Sequence, residues 1–188
     1  MSMDYYVYLK SLDNFFAEEC KKFFLNYDMK ADIYPDFDIN TQSGFLPFKL
    51  ELLADDAPLK GKELLTGFEF YLDDYDYETE LKELQPRGLK ALFKKVKYVY
   101  NETIDEKVKQ CKYQISLCCG PAAFEVSAAL IFAAYLVKNC GGAFYETQIN
   151  QFILDPEHES FGYFTSVKEL NDYYQSAECE VHLFEKWE

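Results

Sequence analysis

The 188 residues carry 19 basic and 33 acidic side chains, a net charge of −14, with 17 Phe and 16 Tyr against 1 Trp. So many aromatics exclude a disordered chain, and the acidity opposes unaided binding to nucleic acid or an anionic membrane, both polyanions. It favours fast, salt-sensitive capture of a basic partner, against the plainer reading that acidity only confers solubility.

The first residues, MSMDYYVYLKSLDNFF, hold no basic segment followed by a clean apolar run, so no signal peptide is expected. The six cysteines (Cys20, Cys111, Cys118, Cys119, Cys140, Cys179) form no CxxC pair and no regular framework. They are expected as reduced thiols in a cytoplasmic protein.

Tyr5 to Leu9 is aromatic and β-branched, which predicts a strand. Ser11 or Asp13 is placed to cap a helix in which Phe16, Cys20, Phe23, Phe24 and Tyr27 share one face. Ala31 to Tyr34 reads as a second strand, closed by Pro35, and 36–44 as a polar loop. Phe45 to Leu52 alternates as a strand, in which Pro47 predicts an edge or a bulge. Leu64 to Leu72 reads as its partner in an antiparallel ladder.

From Asp73 to Glu83 the chain is acidic, and Pro86 separates it from a basic helix starting near Arg87. Tyr98-Val99-Tyr100 suits either a helix extension or a strand, and Thr103 suits the cap of a short helix to Gln110. The strand 113–119, the turn Gly120-Pro121 and the apolar helix 122–137 follow, then a Gly141-Gly142 stop and a strand 143–147. Helix 122–137 is shorter than the usual ~20 apolar residues of a membrane span and contains Glu125, so a buried core helix is expected. Ser166 to Glu169 is a capping box for another helix, and Cys179 to Phe184 a last strand.

Together these predict one α+β domain, 1–188, with a mostly antiparallel sheet (a mixed sheet being the alternative) and helices mainly on one face. Residues 5–34 and 113–147 both read strand, helix, strand, which predicts two βαβ-like, ferredoxin-like halves, 1–86 and 87–188, around one core.

Cys118-Cys119-Gly120-Pro121, between a strand and a helix, resembles part of a thioredoxin active site. The chain departs from that family where the second cysteine should stand, since Ala122 and Ala123 follow Pro121. Without a dithiol, Cys119 remains a candidate nucleophile whose pKa a helix N-terminus would lower. His182 is a partner for it only if the last strand lies beside the central one.

Asp36-x-Asp38-x-Asn40 begins like an EF-hand loop, but Thr41 replaces the glycine at its sixth position and Pro47 the glutamate at its twelfth. No metal, nucleotide or other cofactor motif is present, so none is expected. Size, acidity and fold class instead suggest a non-catalytic protein that binds a basic protein, as immunity proteins neutralise basic toxins. The expected contacts are Asp36, Phe37, Asp38, Asp73, Asp74, Tyr75, Asp76, Tyr77, Glu78 and Glu80, acids with interleaved aromatics. A thiol-dependent enzyme or small-ligand protein with a pocket near Cys119 is the alternative.

Overall fold

The strand β1 (Met3–Leu9) is where two β–α–β paths of the chain meet. The computed structural model describes residues 3–55, 57, 59–88, 95–154 and 181–187. After β1 come α1 (Ala17–Phe24), β2 (Met29–Ile33), β3 (Gly44–Leu52), β4 (Glu63–Asp74), α2 (Tyr77–Glu83) and α3 (Glu102–Val108). Then follow β5 (Tyr113–Cys119), α4 (Ala123–Cys140), β6 (Gly142–Glu146), β7 (Gln151–Ile153) and β8 (His182–Leu183).

The fold is α+β with a mostly antiparallel open sheet in the order β2-β3-β4-β5-β1-β6-β7; β8 pairs the first half of the long β4. Two antiparallel steps, through β1, separate β5 from β6, so these strands run the same way and α4 is a crossover between them. By the same count, four steps separate β1 from β2, and α1 is a crossover too. The strands of 1–86 and 87–188 therefore interleave, with β1 lying between β5 and β6.

Alternation along β1 sets the two faces. Tyr5, Val7 and Leu9 are buried on the side of α4, where Val7 lies between Ile115 of β5 and Phe144 of β6. In α4 every residue except Glu125, Lys138 and Asn139 is buried. This helix is long and apolar enough to cross a membrane, but 83% of it is covered by the fold, so here it is the core helix. Its alanines let the sheet approach, while Phe132 meets the rings of Phe15, Phe48, Phe68 and Phe70. Gly141, at φ 68°, ends the helix, and a Cβ on Gly142 would collide with the Tyr8 carbonyl oxygen.

On the opposite face Tyr6, Tyr8, Ala143 and Tyr145 pack with Tyr77 and Leu81 of α2 and Ile104 and Val108 of α3. Helices thus stand on both sides of the sheet rather than mainly on one. The reason is local: the even-numbered tyrosines of β1 also need cover.

Other boundaries differ for equally local reasons. Ser11 and Asp13 bond to each other instead of capping α1. The start of α1 is held by α4, whose Tyr135 hydroxyl accepts from the Phe16 amide at 3.0 Å and donates to the Phe16 carbonyl at 2.9 Å. Asn101, not Thr103, caps α3, through its Oδ1 and the Ile104 amide. Tyr98-Val99-Tyr100 is neither helix nor strand. Pro47 sits inside β3, and its carbonyl accepts from Tyr34 just past the end of β2, so its missing N–H falls where no ladder continues. The helix expected from Ser166, and most of the basic helix expected from Arg87, lie outside the described residues.

Candidate functional site

The two acidic stretches converge on one end of the sheet. The 34–43 loop precedes β3 and the 73–76 turn follows β4; in that antiparallel pair the start of one strand lies beside the end of the other. The Leu72 amide donates to Ser43 Oγ at 3.3 Å, tying loop to strand.

Within each stretch the structure separates surface acids from structural ones. Asp36, Asp73, Asp74 and Glu78 are exposed. Asp38 is committed to its own turn, accepting from the Asn40 amide at 2.9 Å and from the Thr41 hydroxyl at 2.9 Å. Those bonds, the Asn40 amide first, hold its carboxyl below the usual range. Asp76 is the N-cap of α2, accepting from the Glu78 amide at 3.0 Å and from the Thr79 hydroxyl at 2.8 Å, and its carboxyl is likewise lowered, chiefly by Thr79.

The interleaved aromatics point inward. Phe37 packs edge-on against Phe70, with centroids 5.7 Å apart. Tyr75 meets Tyr8 at 4.8 Å, and Tyr77 is buried with its hydroxyl donating to Asp105 at 2.5 Å. Glu80 turns toward this tyrosine layer and accepts from Tyr100, which is also 2.9 Å from the Tyr8 hydroxyl. Burial raises the Tyr8 phenol to about 12.

Ion pairing is uneven over the molecule. Among the described residues every ion pair lies between positions 18 and 63, as in Lys21–Asp32 at 2.8 Å and Lys49–Glu63 at 3.0 Å. None of them engages Asp36, Asp73, Asp74 or Glu78. Also among the described residues, no three His, Cys, Asp or Glu side chains are grouped as a metal site would require.

Cys119 is 3% exposed, its thiol facing the Met3 carbonyl oxygen at 3.7 Å. Burial, reinforced by Glu125, pushes the thiol up to about 12, the reverse of what a nucleophile needs. The helix N-terminus expected to lower it is occupied, because Glu125 accepts from the Gly120 amide at 2.6 Å. His182 pairs with Leu65, four positions along β4 from Glu69, the partner of Cys118, or roughly 13 Å at strand rise. These two residues are not brought together.

Sequence reasoning passed over the buried carboxylate. Asp105 is 3% exposed and accepts from the Tyr77 hydroxyl, from the Val99 amide at 2.7 Å and from the Tyr100 amide at 3.0 Å. A signal existed: Asp105 falls beside Ile104 and one turn before Val108, on the apolar stripe of α3.

Clefts formed by the described residues include three of note. One of about 260 Å³, between α1 and β2–β3, is lined by Lys21, Lys49, Asp32 and Glu63, whose charges already pair. A second, of about 410 Å³, is walled by Tyr100, Tyr145 and Phe152 with the amides Asn101, Asn150 and Gln151. The third, of about 620 Å³, lies at the acidic end and is lined by Tyr34, Asp36, Phe37, Phe45 and Pro47. Comparison of the chain with protein-family models, with curated proteins and with solved structures yields no match.

Proposed function

We propose that the protein is a non-catalytic, cytoplasmic interaction domain whose acidic sheet end captures a basic protein, in the manner of an immunity protein holding a basic toxin. One observation carries this reading: the exposed acids Asp36, Asp73, Asp74 and Glu78 gather at one end of the sheet and share no ion pair with the described cations, whereas Asp32, Glu51 and Glu63 pair with lysines within the fold. Uncompensated like charges repel one another in the free protein, and a cationic partner relieves that repulsion on binding. The same field raises the association rate and makes it fall with salt.

We place the contact set more narrowly than the sequence suggests. Asp38 and Asp76 serve their turns, and Phe37, Tyr75 and Tyr77 serve the packing. Asp36, Asp73 and Asp74 are therefore the residues to reverse. A protein carrying Asp36→Lys, Asp73→Lys and Asp74→Lys is expected to fold normally and to lose a basic partner that the unaltered protein retains at low salt and releases at high salt. Recovery of no basic partner, or equal recovery by the reversed protein, overturns the proposal.

A further inference from the structure

The cleft at the acidic end adds specificity to charge. Phe45 and Pro47 alternate with Leu46 and Phe48, so they stand on the sheet face away from α4, where Phe45 is 50% and Tyr71 42% exposed and Trp187 borders the cleft against the Tyr34 ring at 5.6 Å. The wall is also fixed in place. The Phe45 ring occupies the space above Gly67, where an added Cβ would strike both the ring and the Leu46 carbonyl oxygen. Tyr34 is tied to β3 by its amide, 3.1 Å from the Pro47 carbonyl oxygen, and the Phe37 amide closes the next turn onto the Tyr34 carbonyl at 3.2 Å. A wall ordered before binding loses little entropy on binding.

The charge in this wall is acidic and uncompensated. Asp36 enters no ion pair with the described cations; its polar neighbour is the Tyr34 hydroxyl, at 3.5 Å. Glu69 lies directly across from Phe45 on β4, within 3.4 Å of the Tyr71 hydroxyl and likewise outside those ion pairs. Lys49, the lysine on the same strand, is committed to Asp32 and Glu63.

We propose that this cleft receives an arginine side chain of the partner, the guanidinium lying on the Phe45 ring and pairing with Asp36. This rests on the reading of the protein as a receptor for a basic protein. Arginine suits the wall better than lysine, because its planar, weakly hydrated cation stacks on an aromatic face while its edge donates to a carboxylate. At about 620 Å³ the cleft has room for one guanidinium side chain, and it is open to solvent rather than enclosed.

The test uses acetyl-Gly-Arg-Gly-amide and its citrulline counterpart, titrated into the isotope-labelled full chain and followed by amide NMR shifts. The arginine peptide is expected to shift amides in 34–47 and 67–69, and the citrulline peptide to bind about tenfold more weakly. Asp36→Asn and Phe45→Leu, both at exposed positions, are each expected to weaken binding by about five- to tenfold with the rest of the spectrum unchanged. Equal binding of the two peptides, shifts spread evenly over all exposed acids, or indifference to both substitutions overturns the cleft. Loss of a basic partner on charge reversal, with no peptide response at the cleft, overturns only the arginine assignment. Peptide binding at the cleft without any basic partner in solution overturns only the receptor reading.

Discussion

The Glu125 carboxylate accepts the Gly120 amide hydrogen at 2.6 Å, reaching back from the first turn of α4 to the end of β5. Ala122, the N-cap of α4, has no side chain to do this. The single acid in an otherwise apolar helix start thus ties the strand end to the helix without capping a helix amide, and the helix dipole favours its charge there. Glu125→Ala is expected to cost about 1–2 kcal/mol and Glu125→Gln about half as much, because the amide oxygen keeps the bond and loses the charge. Urea unfolding of the three proteins measures both, and equal midpoints would show that the bond contributes nothing.

Asp105 organises a segment that has no repeating structure of its own. Its carboxylate takes the amides of Val99 and Tyr100 and the hydroxyl of Tyr77, which joins α2, α3 and the irregular chain between them. Removing the acceptor strands several donors in a buried place. Asp105→Ala is therefore expected to cost about 2–4 kcal/mol, whereas Tyr77→Phe, which removes one donor and leaves the amides bonded, costs about 1–2 kcal/mol. The double variant should lose less than the sum of the two single losses, since both act on one network. Hydrogen exchange should report the first loss at Val99 and Tyr100 before the rest of the sheet opens.

These two carboxylates show what the sequence could and could not disclose. Strands β1, β3, β4, β5 and β6 and helix α4 are legible because alternation or an unbroken apolar run marks each one, and burial follows that marking. Asp105 and Glu125 are not legible as partners, since their bonds depend on how the chain folds back. β7 has only three residues, too few for a period to appear. At the acidic end the charge was readable, but the division of labour was not. Whether an aspartate caps its own turn, as Asp38 and Asp76 do, or faces solvent, as Asp36 and Asp73 do, depends on the direction of the loop.

The thiols offer a direct chemical check. Burial lifts Cys119 to about 12 and Cys111 and Cys140 to about 11, while half-buried Cys118 also stands near 11. At pH 8 such thiols are almost wholly protonated and, Cys118 excepted, covered. Iodoacetamide is expected to leave Cys119 unmodified in the native protein and to label it promptly once guanidinium unfolds the chain. Peptide mapping distinguishes the cysteines, and prompt native labelling at Cys119 would contradict its place in the core.

Glu146 gives a pH dependence with a definite sign. It is 7% exposed on β6, opposite Tyr5, and its carboxylate accepts the Gln148 amide at 2.9 Å. Burial raises its pKa above the ordinary glutamate value despite that bond. Between the unfolded and folded values the native protein holds more protons than the unfolded chain, so stability falls as pH rises through this window. Below the unfolded value, about 4.3, the cost is absent, and above the folded value it is complete. Glu146→Gln keeps an oxygen for the Gln148 amide and removes the buried charge. Its stability relative to the unaltered protein should therefore grow as pH rises above about 4 and level off above the folded value, because every other carboxylate contributes equally to both. Urea midpoints across that range supply the curve; a difference that is flat with pH, or reversed at the alkaline end, would mean that Glu146 is solvated well enough to ionise without penalty.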